Sequence, residues 1–254
     1  MASKRFQSIL LPGLISLTIL IQPSLTLTPG EAIEITDAPW SVTVTVGPRV
    51  CGGSILRSNF VLTSAQCVYG KESYQVKIHY GSKEIASVGR YADVFTIYLR
   101  DYSPQSIQSN IALLKTSEME LDETKSKTID LPPQEFDPQA ESLVLVTGWG
   151  AEKTPYSNVL LAANFTVVDR TECQEKIKTI RKAKHITEQL FCAGGPEHGG
   201  EYLDTGDSGD PAVQNNQLVG VAIIPPWLPL RGYPSVFTKV GSHVDWINSI
   251  IESK

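Results

Sequence analysis

The chain has 254 residues and a formal net charge of −5. That length fits one large domain after processing. The mild acidity argues against a general nucleic-acid binder, which presents a basic face.

Lys4 and Arg5 open a positive start, and an apolar run from Ile9 to Ile21 follows, broken by Pro12 and Gly13. This pattern reads as a secretory signal over residues 1–26. The run is short of the roughly 20 apolar residues that span a bilayer, so residues 27–254 are expected to be a secreted, extracellular domain with no membrane partner. Ser41–Val46 alternates apolar and polar residues, as does Ser73–Tyr80 through Tyr74, Val76, Ile78 and Tyr80. Both read as half-buried strands. Thr116–Pro138 is polar and acidic, then proline-rich, and suits a connection between two halves of one globule.

Val144-Leu145-Val146 and Val219–Ile224 are apolar runs suited to buried strands. Between them Asp169 is placed to cap a short helix. Lys176, Lys178, Arg181, Lys182 and Lys184 follow, either as a solvated face or as a basic contact surface. Near the end, Ser242 and Asp245 resemble a capping box. Val244, Ile247, Ile250 and Ile251 then fall at helical spacing. Many short strands punctuated by turn residues predict an all-β barrel or sandwich, closed by this helix.

Four cysteines lie beyond the signal. An even number in a secreted chain suggests pairing, with three possible connectivities. No C-x-x-C occurs and no histidine sits at ligand spacing from a cysteine, so no metal site is expected, and no cofactor. Asn164-Phe165-Thr166 is a glycosylation candidate.

A series of short motifs runs through the chain. In order they are Cys51-Gly52-Gly53-Ser54-Ile55, Leu62-Thr63-Ser64-Ala65-Gln66-Cys67, Asn110-Ile111-Ala112-Leu113-Leu114 and Thr147-Gly148-Trp149-Gly150. Gly206-Asp207-Ser208-Gly209, Pro234–Val240 and Val244-Asp245-Trp246-Ile247 complete them. The series resembles the trypsin-like serine proteases over nearly everything after residue 38. The resemblance implies two six-stranded antiparallel β-barrels with a C-terminal helix and a site between the barrels. It also implies the pairings Cys51–Cys67 and Cys173–Cys192, each worth roughly 3 kcal/mol in the chain-entropy model.

The same resemblance marks what is missing. Ser208 stands at the nucleophile, with the amides of Gly206 and Ser208 at the oxyanion hole. Gln66 stands where the family has its general base, and Asn110 where it has the orienting carboxylate. A serine hydroxyl needs a neighbour that takes its proton, and an amide takes none near neutral pH. Loss of the base alone costs about 10⁶ in rate. Tyr202 falls at the floor of the specificity pocket and Asp204 at a pocket cysteine. Ile223, Ile224 and Pro225 form the strand that would pair with substrate, where proline offers no N–H. Asp210 replaces a glycine, so its Cβ and charge, where the backbone is tight, are expected to distort the loop or demand a partner. In the family, a freed N-terminal amine pairs with the aspartate here numbered Asp207, yet no basic cleavage residue lies between Arg5 and Arg49.

This pattern of loss resembles the inactivated serine protease paralogues of parasitic mites. It implies a non-enzyme that binds host defence proteins, complement proteins notably. An active protease of unusual chemistry and a non-catalytic cofactor of another protease are the alternatives. The crowded cleft further suggests that a partner binds the outer surface around Lys176–Lys184.

Overall fold

A computed structural model describes residues 30–85, 89–150, 159–228 and 231–253. The signal reading of residues 1–26 lies outside them. The elements in chain order are β1 (Glu31–Ala32), β2 (Ser41–Val46), β3 (Arg49–Arg57), β4 (Phe60–Thr63), α1 (Ala65–Val68), β5 (Val76–Tyr80), β6 (Arg90–Leu99) and β7 (Ala112–Thr116). The second half holds β8 (Leu143–Gly148), β9 (Leu161–Val168), α2 (Arg170–Ile177), β10 (Leu190–Ala193), β11 (Pro211–Gln214), β12 (Gln217–Ile223), β13 (Ser235–Lys239) and α3 (Val244–Glu252).

Strands β2-β3-β4-β7-β6-β5 close into one antiparallel barrel. The order β9-β10-β13-β12-β11-β8 closes into a second through the β8–β9 pairing, and β1 adds to the edge of β9. Closure leaves no unpaired ring edge, which is how an all-β chain avoids exposed ladders. The expected all-β architecture, two six-stranded antiparallel barrels with a C-terminal helix, is the one observed.

Three cores follow from this layout. Val42, Val44, Ile78 and Leu114 fill the first barrel. Phe165, Phe191 and Phe237 dominate the second. Phe237 stacks on Phe191 at 5.0 Å and meets Phe165 edge-on at 6.0 Å. The third core lies between the barrels, where Leu56, Phe60, Leu62 and Leu113 meet Val213, Leu218 and Val221 under Val244 and Ile247 of α3. The seam is polar as well: Ser41 Oγ and Thr147 Oγ1 are 2.8 Å apart and buried.

That seam explains why β2 is not half-buried. Its valines face the barrel interior, but Ser41 and Thr43 are buried on the opposite face. Alternation marked the two faces correctly without saying that both are covered. The segment from Ser73 also differs. Ser73–Gln75 is a 3-10 turn, with Glu72 and Gln75 capping each other, and Tyr74 on it is 76% exposed. The strand begins only at Val76.

Helix ends show the same competition between local signal and tertiary contact. Asp169 caps α2 as expected, accepting from the Thr171 and Glu172 amides at 2.8 and 3.1 Å. The helix stops at Ile177, so Arg181, Lys182 and Lys184 lie beyond it, with Lys182 at a φ of 69°. Lys176 pairs with Glu172 and Glu197, and Lys178 with Glu175. No continuous basic helix face forms. At α3 the expected Ser242 capping box is absent. Ser242 belongs to a preceding 3-10 turn, His243 is the N-cap, and Gln134 Oε1 accepts from the Asp245 amide at 2.9 Å. The cap comes from the connector between the barrels, out of reach of any local pattern.

Disulfides join Cys51 to Cys67 and Cys173 to Cys192. The first ties β3 to α1, and the second ties α2 to β10. Asn164 lies on β9 with its side chain exposed.

The three-phenylalanine cluster gives a test of the second core. Phe237→Ala should cost about 3–5 kcal/mol, the range for truncating a large buried aromatic. Urea unfolding of the variant and the parent measures it. A loss below about 1 kcal/mol would show that the cluster does not hold the barrel.

Candidate functional site

Gln66, Asn110 and Ser208 come from three separate elements and meet at the seam. Gln66 sits on α1, one short helical turn after β4 crosses the first barrel. The Cys51–Cys67 bond fixes the residue beside it. Asn110 precedes β7, and its carbonyl accepts from Thr238 Oγ1 of β13 at 3.1 Å. Ser208 sits on the tight turn before β11.

The hydrogen bonds among them form one consistent network. Gln66 Nε2 donates to Ser208 Oγ at 2.9 Å and to the Ile224 carbonyl at 3.3 Å. Gln66 Oε1 accepts from Asn110 Nδ2 at 2.7 Å, and Asn110 Oδ1 accepts from the Gln66 backbone amide at 2.9 Å. This network fixes the amide orientations, because a flipped Gln66 would set its oxygen against the Ile224 carbonyl. Both amides are thereby satisfied where stranded buried polar groups are costly.

The polarity of the Gln66–Ser208 bond decides the chemistry. A base would accept the hydroxyl proton. Here the neighbour donates, and it occupies a lone pair of the oxygen that would attack. Serine becomes a nucleophile only when something takes its proton, and the amide cannot. None of the four histidines substitutes for it. His79 is buried against Tyr91, His198 is hydrogen-bonded to Glu172, His185 is exposed and His243 is fully buried. Among the described residues none of them lines the groove that contains Ser208.

The turn itself is tightly built. The Ser208 carbonyl accepts from the Gly52 amide at 2.9 Å, and the Gly209 amide donates to the Ala222 carbonyl at 2.8 Å. Gly209 has a φ of 92°, and a Cβ there would overlap the Gly52 carbonyl. Gly206, at a φ of 105°, lines the groove beside Ser208. Asp204 joins the turn through its amide, which donates to Asp207 Oδ2 at 2.7 Å. Asp210 does not distort the loop. It lies against Asp207, in a pocket formed by Gly52 and Gly148.

Two cavities flank this network, and they differ in kind. An open groove of 640 Å³ runs past Gln66 and Ser208, walled by Pro48, Tyr102, Pro104, Ile107, Pro225 and Pro226. Beside it lies a void of only 10 Å³ among Leu203, Ile223, Ile224, Leu228, Pro234, Ser235 and Val236. That is about one water's worth of space. The expectation of an obstructed cleft is therefore corrected in two ways. The groove is open, and the closed part is filled from the sides by Leu203 and Leu228, both buried. Tyr202 does not line the void; Arg231 packs over its ring at 5.4 Å. Ile223 is a core residue of β12, while Pro225 faces the groove. Of the expected basic outer surface, Lys176 and Lys178 are paired with glutamates, while Arg181, Lys182 and Lys184 are exposed beyond the helix. Sequence reading missed Leu203 and Leu228, because leucines carry no chemical signature until the fold sets them opposite each other.

The trypsin family model matches residues 28–247. A relative named trypsin Blo t 3, from Blomia tropicalis, is 34% identical over 216 residues, covering 83% of this chain and 80% of the relative. The solved structure of scabies mite inactivated protease paralogue S-D1 superposes with a TM-score of 0.85 at 43% identity, covering 89% of this chain and 97% of that one. Paralogue S-I1 superposes with a TM-score of 0.80 at 40% identity, covering 89% and 99%. The family match spans both barrels and the groove between them, and on that evidence the chain belongs to the trypsin family.

Proposed function

We infer that the protein is a catalytically inactive member of the trypsin family, secreted, which acts by binding another protein. The observation that carries this reading is the donor bond from Gln66 Nε2 to Ser208 Oγ. In this reading Gln66, Asn110 and Ser208 occupy the places of base, acid and nucleophile, and Gly206 and Ser208 those of the oxyanion donors. The base position holds a group that can only reinforce the hydroxyl, and the acid position holds a neutral amide.

Substrate docking is impaired independently of the chemistry. Proline at position 225 gives no N–H to an incoming strand, and the Ile224 carbonyl already accepts from Gln66. No side chain fits the 10 Å³ void. Two disulfides suit an oxidising, extracellular setting. The likeness to mite paralogues named inactivated proteases supports the same class for this chain. Host defence proteins, complement proteins above all, are the partners we propose. An open, proline-walled groove is a preorganised surface, and rigidity lowers the cost of binding.

Three measurements test this. Peptides with arginine, aromatic or small residues at the scissile position should not be turned over; hydrolysis that vanishes in Ser208→Ala overturns the inactive reading. The double variant Gln66→His, Asn110→Asp should remain without trypsin-like activity, since a restored base without a docked substrate accomplishes little. Robust cleavage by it would show that the filled pocket is no barrier. In a haemolytic assay, the protein should slow complement lysis, and Ser208→Ala should do so equally. Undiminished lysis at all concentrations removes complement as the partner class.

A further inference from the structure

Asn164 stands in the middle of β9, a strand paired over six residues with β8. Asparagine is depleted in such positions, because its short polar side chain gains little from a pleated surface. Its neighbours follow the usual preference. Ala163, Phe165 and Val167 turn into the second barrel and are buried, while Asn164 is exposed on the outer face. The side-chain period of a strand is two. A slip of one residue would therefore turn this amide into the core beside Phe165, which is 0% exposed.

The register sets what surrounds Asn164. It lies opposite Leu145, and Leu143 lies opposite Thr166. Leu143 is thus the diagonal neighbour of Asn164 on one face, a spacing of roughly 7 Å. Leu143 is 55% exposed and Leu145 is half-buried. The outer face therefore sets a polar amide beside an aliphatic strip. Thr166 completes the sequon Asn164-Phe165-Thr166, with its side chain on the same face.

We propose that Asn164 carries an N-linked oligosaccharide, attached before the barrel closes, whose first sugars lie over Leu143 and Leu145. The inference rests on the reading that the chain is secreted. In the transfer, the Asn164 side-chain nitrogen bonds to the anomeric carbon of a lipid-linked oligosaccharyl diphosphate. The bond from that carbon to the diphosphate oxygen breaks, the lipid diphosphate leaves, and one amide proton passes to the transferring enzyme. The Thr166 hydroxyl is the group by which such an enzyme recognises its acceptor, and Phe165 is not the proline that would block it.

The timing follows from the ladder. In the folded barrel the backbone of this segment is held by β8, and the Thr166 carbonyl accepts from the Gly194 amide at 2.8 Å. An enzyme that must wrap the acceptor reaches it only while these bonds are unmade. The finished fold then decides where the glycan goes, and alternation along β9 puts it outside. The C–H faces of sugar rings are apolar and suit an aliphatic strip, and covering exposed apolar surface guards a face against association. Among the described residues, none from β8 or β9 lines the groove past Ser208, so the attachment point leaves that groove open.

The test uses the full chain, residues 1–254, expressed in a secreting eukaryotic host such as insect cells and collected from the medium. Treatment with a peptide N-glycosidase should lower its mass by one glycan. Peptide mass spectrometry should then find aspartate at position 164, the mark that this cleavage leaves. Asn164→Gln and Thr166→Val should each lack the glycan, and Thr166→Ser should keep it. On a hydrophobic-interaction column the glycan-free parent should be retained longer than the glycosylated one, and Leu143→Ser should shrink that difference. If Asn164→Gln does not fold, the parent and Thr166→Ser carry the same test through the aspartate mark. An unmodified chain in the medium would overturn this inference alone, and an unmodified chain held inside the cells would overturn the secreted reading with it. A glycan that persists in Asn164→Gln, or a retention difference that Leu143→Ser leaves unchanged, would also contradict the proposal.

Discussion

Two closed barrels pressed together must pair the polar groups of their shared face largely with each other, and the site depends on how that is done. Asn110 and Gln66 come from the first barrel, Ser208 and Ile224 from the second. The Gln66 bonds to Ser208 Oγ and to the Ile224 carbonyl, at 2.9 and 3.3 Å, cross the seam, and the 2.7 Å bond from Asn110 holds Gln66 in place on its own side. A partly buried hydrogen-bonded network is worth most when every member is satisfied and costs most when one is not. The Gln66 amide meets that requirement in full. It offers a donor to the hydroxyl and to a carbonyl, and an acceptor to Asn110. The arrangement keeps the seam intact and discards the proton transfer that an imidazole would perform.

The same logic extends into the neighbouring pocket and the turn beneath it. Beside the groove, Leu203 and Leu228 pack around a void of only 10 Å³, so contact between side chains takes the place of hydrated surface. Beneath Ser208, Asp210 fills space left by Gly52 and Gly148. The outer groove escapes this closure. Its walls are prolines and Tyr102, whose conformational freedom is small, so it persists as a shaped surface of 640 Å³.

Much of this was legible in the residues. Alternation located β2 and β5, Asp169 marked the start of α2, and the run of motifs carried the two-barrel fold. Gln66 and Asn110 stood out because they sit inside recognisable words. Other features were hidden for a physical reason: they depend on contacts between distant segments. The cap of α3 comes from Gln134, more than a hundred residues away. The burial of Thr43 and Ser41 depends on a second barrel lying against β2. The pocket is closed by leucines that look like ordinary core residues. The space that takes Asp210 is opened by Gly52 and Gly148, from two other strands.

Covalent labelling addresses the central claim most directly, because a fluorophosphonate needs an activated serine but little substrate recognition. Incubated with the intact protein and followed by mass spectrometry, it should leave the mass unchanged, since Gln66 donates to Ser208 Oγ and no described side chain accepts its proton. A stoichiometric adduct on Ser208, absent from Ser208→Ala, would contradict the account.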